Sequence, residues 1–189
     1  IITHFHGDHI GGLSELAKRI PIKEFIDHGP NIQPGPQIDP VMQQYAELYG
    51  KAKHTVVKPG DKIQVAGLDW RIVSAAGEVQ KTPFSGSARA NPECANYKPT
   101  DIPKTEDDMS VGSLVTFGKF RTVHLGDLTL NRQFELMCPA NRLGTVDLFL
   151  IGRHGNVNGD FLVHAFHPRA GIMNNGTRKG GQPIGRRPA

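Results

Sequence analysis

Leu13, Leu16, Ala17 and Ile20 recur at the three-and-four spacing of a helix that buries one face, which predicts a helix over residues 12–20. A short run at residues 24–27 reads as a strand, and the turn-rich stretch 28–40 leads to a second predicted helix over residues 40–53. Pro40 suits the first turn of that helix, where its missing N–H has no partner to lose, and Asp39 is the expected cap. Residues 55–58, 62–65 and 70–75 read as strands, parted by Pro59-Gly60-Asp61 and Gly67. From 78 to 106 the periodicity disappears, because Pro83, Pro92, Pro99 and Pro103 interrupt any ladder or helix that starts. A loop of that length in a compact chain reads as a lid or pocket wall. Strands resume at 113–117 and 121–125, a helix follows over 131–137, and the continuous apolar run 146–151 reads as a buried strand. Residues 162–170 read as a helix and 172–176 as a strand running into a polar loop. Strands and helices share one domain-sized chain of 189 residues, with no internal repeat. No apolar stretch reaches the roughly 20 residues needed to span a bilayer.

The amino-terminal residues change this picture. Three imidazoles and a carboxylate fall within Thr3-His4-Phe5-His6-Gly7-Asp8-His9, a density that packing alone does not require. On an extended segment His4 and His6 point to the same side, since side chains alternate with period two. Gly7 lets the backbone turn, so that Asp8 and His9 approach from the following loop and address a second, neighbouring ion. Imidazole and carboxylate suit zinc, with manganese or iron as alternatives. Two later features join them. The strand ending Leu125-Gly126-Asp127 delivers a carboxylate at its tip, which alone reads equally well as a cap for the helix at 131–137. The apolar run 146–151 ends in Gly152-Arg153-His154-Gly155 and delivers His154.

His4-Phe5-His6-Gly7-Asp8-His9 matches the His-x-His-x-Asp-His signature of the metallo-β-lactamase superfamily, and the chain most resembles the branch related to the lactamase-like domain of the ComEC DNA-uptake proteins. The resemblance implies an α+β fold, a four-layer αβ/βα sandwich with two mixed sheets, over residues 1–183, with 184–189 as an unassigned tail. It implies that the first strands of that domain precede the residues present here. It also implies two divalent cations, zinc or else manganese or iron, held by His4, His6, Asp8, His9, Asp127 and His154, with Asp127 bridging them. Hydrolysis by a metal-activated hydroxide follows, with Asp8 as the catalytic residue that orients it or accepts its proton.

A small-molecule or nucleic-acid substrate is expected, and no stable protein partner is implied. Phosphodiesters rank first among substrates, and lactones, thioesters and β-lactams are the alternative. A metal-binding homologue with impaired catalysis is the third reading. A secreted or periplasmic location is the one the resemblance favours. No serine sits in a Gly-x-Ser-x-Gly elbow to offer a competing nucleophile.

The chain departs from the pattern in two places. The family's His-His-Gly is Arg153-His154-Gly155 here, which threatens the second metal site. No histidine lies between His54 and His124 to complete the first. Glu106-Asp107-Asp108 resembles an acidic segment of the ComEC-like branch, so Asp107 is the candidate substitute, with a solvated acidic turn as its other reading. Asn175, Arg178 and Lys179, with Gln182, are candidates for an anion-binding rim among glycines. His28 reads as a surface residue near the pocket edge, His124 faces away from Asp127, and His54, His164 and His167 read as structural or surface residues.

The formal net charge of +4 makes an anionic substrate plausible, although much of the excess lies in Arg178, Lys179, Arg186 and Arg187. Cys94 and Cys138 fit no CxxC site, and read as two buried thiols in preference to a disulfide.

Overall fold

The computed structural model describes residues 1–84 and 88–175. Its elements are α1 (Gly7–Ile10), α2 (Leu13–Arg19), β1 (Glu24–Asp27), α3 (Asp39–Tyr49), β2 (Lys53–Val56), β3 (Lys62–Ile63), β4 (Asp69–Ala75), β5 (Glu78–Val79) and β6 (Arg89–Ala90). There follow β7 (Gly112–Phe117), β8 (Phe120–His124), α4 (Leu130–Met137), β9 (Ala140–Asn141), β10 (Leu148–Ile151), α5 (Asp160–Phe166) and β11 (Ala170–Met173).

A seven-stranded sheet in the order β11-β10-β8-β7-β4-β3, with β5 beside β4, forms the centre. It is mixed, since β10 runs parallel to β8 and β11 while β7 is antiparallel to β4 and β8. The parallel pair β1-β2 makes a second, smaller sheet. Alternation sorts the side chains into layers. Val73, Leu114, Val123 and Phe149 turn to one face of the large sheet and pack with Leu136, Leu162 and Phe166 of α4 and α5. Ile72 turns to the other face and meets Ile26 of β1, while the adjacent Phe25 points the opposite way, to Tyr45 of α3. Helices therefore lie outside two stacked sheets, the α+β sandwich arrangement expected.

Residues 1–6 are extended and bridge the two sheets at one edge: Ile2 N–H donates to Ile26 O at 2.8 Å, and Thr3 O accepts from Val111 N–H at 2.7 Å. This places His4 and His6 at the rim of the sandwich rather than in its core. Beneath α3, Asp27 is 1% exposed and fully engaged, accepting from Tyr45 Oη at 2.5 Å, His54 Nε2 at 2.8 Å and Gly29 N–H at 2.8 Å. Burial and the bond to Asp27 push the Tyr45 hydroxyl far above its ordinary range.

Several boundaries differ from expectation. Asp39 lies inside α3 and caps nothing; its Oδ1 accepts instead from Gly35 N–H at 2.9 Å. The helix stops at Tyr49, and β2 begins at Lys53, because strand pairing with β1 claims residues 53–56. Ile63 ends β3, two residues short of the predicted span.

Within residues 78–106 the described part is fastened down rather than lid-like. Asn91 Nδ2 donates to Met137 O at 3.2 Å and Phe161 O at 2.7 Å, and Tyr97 Oη donates to Asn131 at 2.7 Å. That docking sets Cys94 and Cys138 with Cα atoms 5.8 Å apart, and they form a disulfide, contrary to the two free thiols expected. The loop walls a cavity of about 960 Å³ with Arg71, Arg121 and His164, which shares no residue with the amino-terminal histidines.

Candidate metal centre

The motif is held by a short helix rather than by the expected loop. His6 is extended, with φ −82° and ψ 149°, and Gly7–Ile10 follows as α1, so Asp8 and His9 project from a helical turn. Phe5, between the two histidines, turns into the core at 1% exposure. Its N–H donates to Glu106 Oε1 at 3.1 Å.

Glu106 is the residue that sequence reasoning missed. It is completely buried, and accepts from His28 Nε2 at 2.6 Å and Ile32 N–H at 3.0 Å. Burial pushes its carboxyl up, but the hydrogen bonds from His28, Ile32 and Phe5 prevail and hold it below the usual range. His28, expected at the surface, is 3% exposed for the same reason. The acidic run does not form a solvated turn. A 3-10 turn over Glu106–Met109 sends Glu106 inward and Asp107 toward His4 and His6. It turns Asp108 to Thr105 N–H and to Thr129 Oγ1, at 2.8 and 2.7 Å. One clue was available: only one of three adjacent carboxylates can face a cluster when the backbone rotates about 120° per residue, as in a 3-10 turn.

Two groups of donor atoms result. In the first, His4 Nε2 lies 3.1 Å from His6 Nδ1, and Asp107 Oδ1 lies 3.5 and 3.0 Å from those two atoms. In the second, His154 Nε2 lies 3.3 Å from His9 Nε2 and 3.1 Å from Asp8 Oδ2. Asp127 stands between them. It groups with His4 and His9, and its oxygens lie 3.6 Å from His9 Nε2 and 3.6 Å from His154 Nε2. It caps no helix, since Thr129 takes that position for α4. Gly126 makes the approach possible: its φ is +58°, and a Cβ there would fall 2.9 Å from Thr3 Cβ.

The charges are arranged for cation binding. Burial, and then the neighbouring His9 and His6, push His4 down to about 4, so it is a neutral donor near pH 7. Burial pushes Asp127 up, but the bond from His9 and the nearby imidazoles outweigh it and hold it at about 2. Asp107 is likewise held low against its burial, by His6 and Arg153, and its close approach raises His6. Asp107 Oδ1 is buried and makes no hydrogen bond of good geometry although His6 Nδ1 is near. Nitrogen and oxygen donors converging in this way fit a divalent cation of the zinc type.

Arg153 does not leave a gap in the second group. His154 completes it, and His154 Nδ1 is fixed by Asn174 O at 2.8 Å. Arg153 instead reaches Asp107 Oδ2, with Nη1 at 2.6 Å. Beside the first group lies a cleft of about 360 Å³ lined by Phe5, His6, Gln33, Pro36, Gln37 and Ile38, with no Lys or Arg in its wall among the described residues. Of the proposed rim, Asn175 is next to the carbonyl that holds His154, while Arg178, Lys179 and Gln182 lie outside the described residues. His124 belongs to none of the donor groups. His54 binds Asp27, and His164 lies 3.2 Å from Glu93.

Residues 1–75 match the family model described as Metallo-beta-lactamase superfamily. The chain is similar to a hydroxyacylglutathione hydrolase of Erwinia tasmaniensis, 33% identical over 77 residues, which is 41% of this chain and 24% of the relative. It thus spans about a quarter of that relative's length. It also resembles the crystal structure of Zn(2+)-bound PqqB from Methylobacterium extorquens, at 16% identity and a TM-score of 0.43, over 78% of this chain and 43% of the other.

Proposed function

We propose that this chain, whose residues 1–75 match the metallo-β-lactamase superfamily, is a metal-dependent hydrolase whose ligands are His4, His6 and Asp107 for one ion and Asp8, His9 and His154 for another, with Asp127 shared. The observation that carries this reading is the convergence of those seven side chains from four separate stretches of chain onto one sheet edge. When bound, a pair of such cations lowers the pKa of water toward neutrality and stabilises negative charge developing on a substrate oxygen.

The chain's own groups supply the rest. Asp8 is 63% exposed at the mouth of the second group, free to orient a water and accept its proton. Asp127 stays ionised at any ordinary pH and fixes His9 and His154 in place. Glu106 holds the backbone between His4 and His6, so the two rings keep one relative position.

For substrate, the adjoining cleft, whose described wall holds no Lys or Arg, supports a carbonyl electrophile, a thioester, ester or lactone, over a polyanion, which needs such cations to meet its phosphates. The similar hydroxyacylglutathione hydrolase points the same way. A phosphodiester is the second reading, favoured by the net charge of +4. The disulfide supports an oxidising compartment.

The test is turnover of a small thioester, a lactone, a chromogenic cephalosporin and a bis-aryl phosphodiester by the zinc-loaded chain beside Asp8→Ala. Hydrolysis of the thioester or lactone alone, lost in the variant, is expected. Phosphodiester turnover alone would transfer the assignment to the second reading, and inertness toward all four would sink the hydrolase.

A further inference from the structure

The two oxygens of Asp107 keep different company. Oδ1 faces His4 and His6, whereas Oδ2 accepts from Arg153 Nη1 at 2.6 Å. The same nitrogen also donates to Asp127 O at 3.0 Å, and Arg153 N–H donates to Asp127 Oδ1 at 3.1 Å. Arg153 is thus tied to a carboxylate of each donor group. The tie is made at a cost in backbone conformation: Arg153 and His154 are consecutive non-glycine residues at φ +51° and +52°. Such residues persist only where their surroundings hold them.

An imidazole offers a cation one lone pair, without charge and in one direction. A carboxylate in the same place adds a negative charge and can rotate, or bind through both oxygens. A guanidinium on the far oxygen removes that freedom and offsets that charge. We propose that Arg153 is a positioning residue that makes Asp107 a one-oxygen ligand, so that a His-His-Asp set takes a divalent cation where three imidazoles would otherwise be needed. Arg153 and Asp107 then act as one unit: Arg153 is no defect in the second group but the complement of the missing histidine in the first. This rests on the metal-site reading above.

The experiment is zinc titration of the whole chain against a chromogenic chelator, with the visible spectrum of the cobalt-substituted protein as an independent report on coordination. Arg153→Gly deletes the guanidinium while suiting the left-handed backbone, so the fold is kept and melting in chelator close to the parent temperature is expected. One of two zinc equivalents should bind about 10- to 100-fold more weakly, the usual cost of losing a partner that orients a ligand. The cobalt bands should weaken as Asp107 turns to bind through both oxygens. Arg153→Lys should restore part of the affinity, because a single nitrogen makes both side-chain bonds. Asp107→Asn should weaken the same equivalent.

Parental affinity and an unchanged cobalt spectrum in Arg153→Gly would overturn the proposal and leave Arg153 a backbone role only. Loss of zinc affinity together with a melting temperature in chelator well below the parent's, with no recovery in Arg153→Lys, would also overturn it. If the parent chain itself bound no zinc, the metal reading would fall first and this inference with it.

Discussion

The two donor groups differ in how firmly they are braced and in where each opens to solvent. His4 and Asp107 are enclosed, His4 with no exposed side-chain surface and Asp107 with 15%, and Glu106 and Arg153 hold this group from behind, while His6 at 39% opens to the adjoining cleft. Asp8 and His154 stand nearer the surface, 63% and 27% exposed, with His9 behind them at 15%, and their fixing contacts come from Asn174 and Asp127. Enclosure preorganises donors and slows loss of an ion, while exposure leaves room for a substrate and a proton path. The braced group is therefore the anchor, and the open group the place where chemistry meets solvent.

The sharpest way to break this contrast is to remove one donor from each side. His4→Ala should abolish the anchored equivalent and lower turnover by at least about 100-fold, beyond the effect of losing a supporting partner. Asp8→Asn should lower turnover by about 100- to 10,000-fold, the range for a positioned acid or base. It should leave the anchored equivalent bound and the melting temperature unmoved. Elemental analysis beside a single steady-state assay separates them. Equal metal loss in both variants would remove the distinction between anchor and open group.

A second comparison concerns the bracing. Glu106→Ala leaves His28 and Phe5 N–H without their acceptor in the interior, and breaking such a buried pair costs about 3–5 kcal/mol. Denaturant melts in chelator should show it even without metal. An effect under about 1 kcal/mol would mean that the first group is not held by Glu106.

The proton tells the two groups apart as well. His4 titrates near 4 in the folded chain and near 6.5 in the unfolded one, so between those values the unfolded state binds more protons. Stability of the metal-free chain should thus fall as pH drops from 6.5 toward 4. Replacing His4 with Gln should flatten that slope. Melts from pH 7 to 4 in chelator would decide it, and an unchanged slope in the variant would assign the loss elsewhere.

How much of this was legible depended on chain distance. His4, His6, Asp8 and His9 lie within six residues, and their spacing alone implied two half-sites. Asp127 and His154 were readable because each ends an apolar strand of the large sheet, and parallel β8 and β10 bring those ends together. Asp107 was visible only as one of three acidic residues, since choosing among them requires the turn that sends each in a different direction. Glu106, His28 and the Arg153 to Asp107 bond join residues 78 and 46 positions apart, and nothing local marks them. The disulfide was hidden in the same way, by a docking of residues 91–97 on α4 and α5 that no periodicity announces.

The smallest effect tests whether the network behind β1 belongs to the anchor or only to the fold. Tyr45→Phe removes one of three donors to Asp27 but keeps the ring that packs on Phe5 and Phe25. His54 and Gly29 still satisfy the carboxylate, so the loss should be near 1 kcal/mol, a single hydrogen bond. The raised Tyr45 pKa also means that stability present below pH 10 is lost above it, because the unfolded chain ionises there first, and the variant should lose less. Zinc affinity should be unchanged, since Phe5 keeps its packing and its bond to Glu106. A parallel fall in zinc affinity would show that the bracing of the enclosed group extends through Phe5 to α3, and would widen the contrast with the open group beyond Glu106 and Arg153.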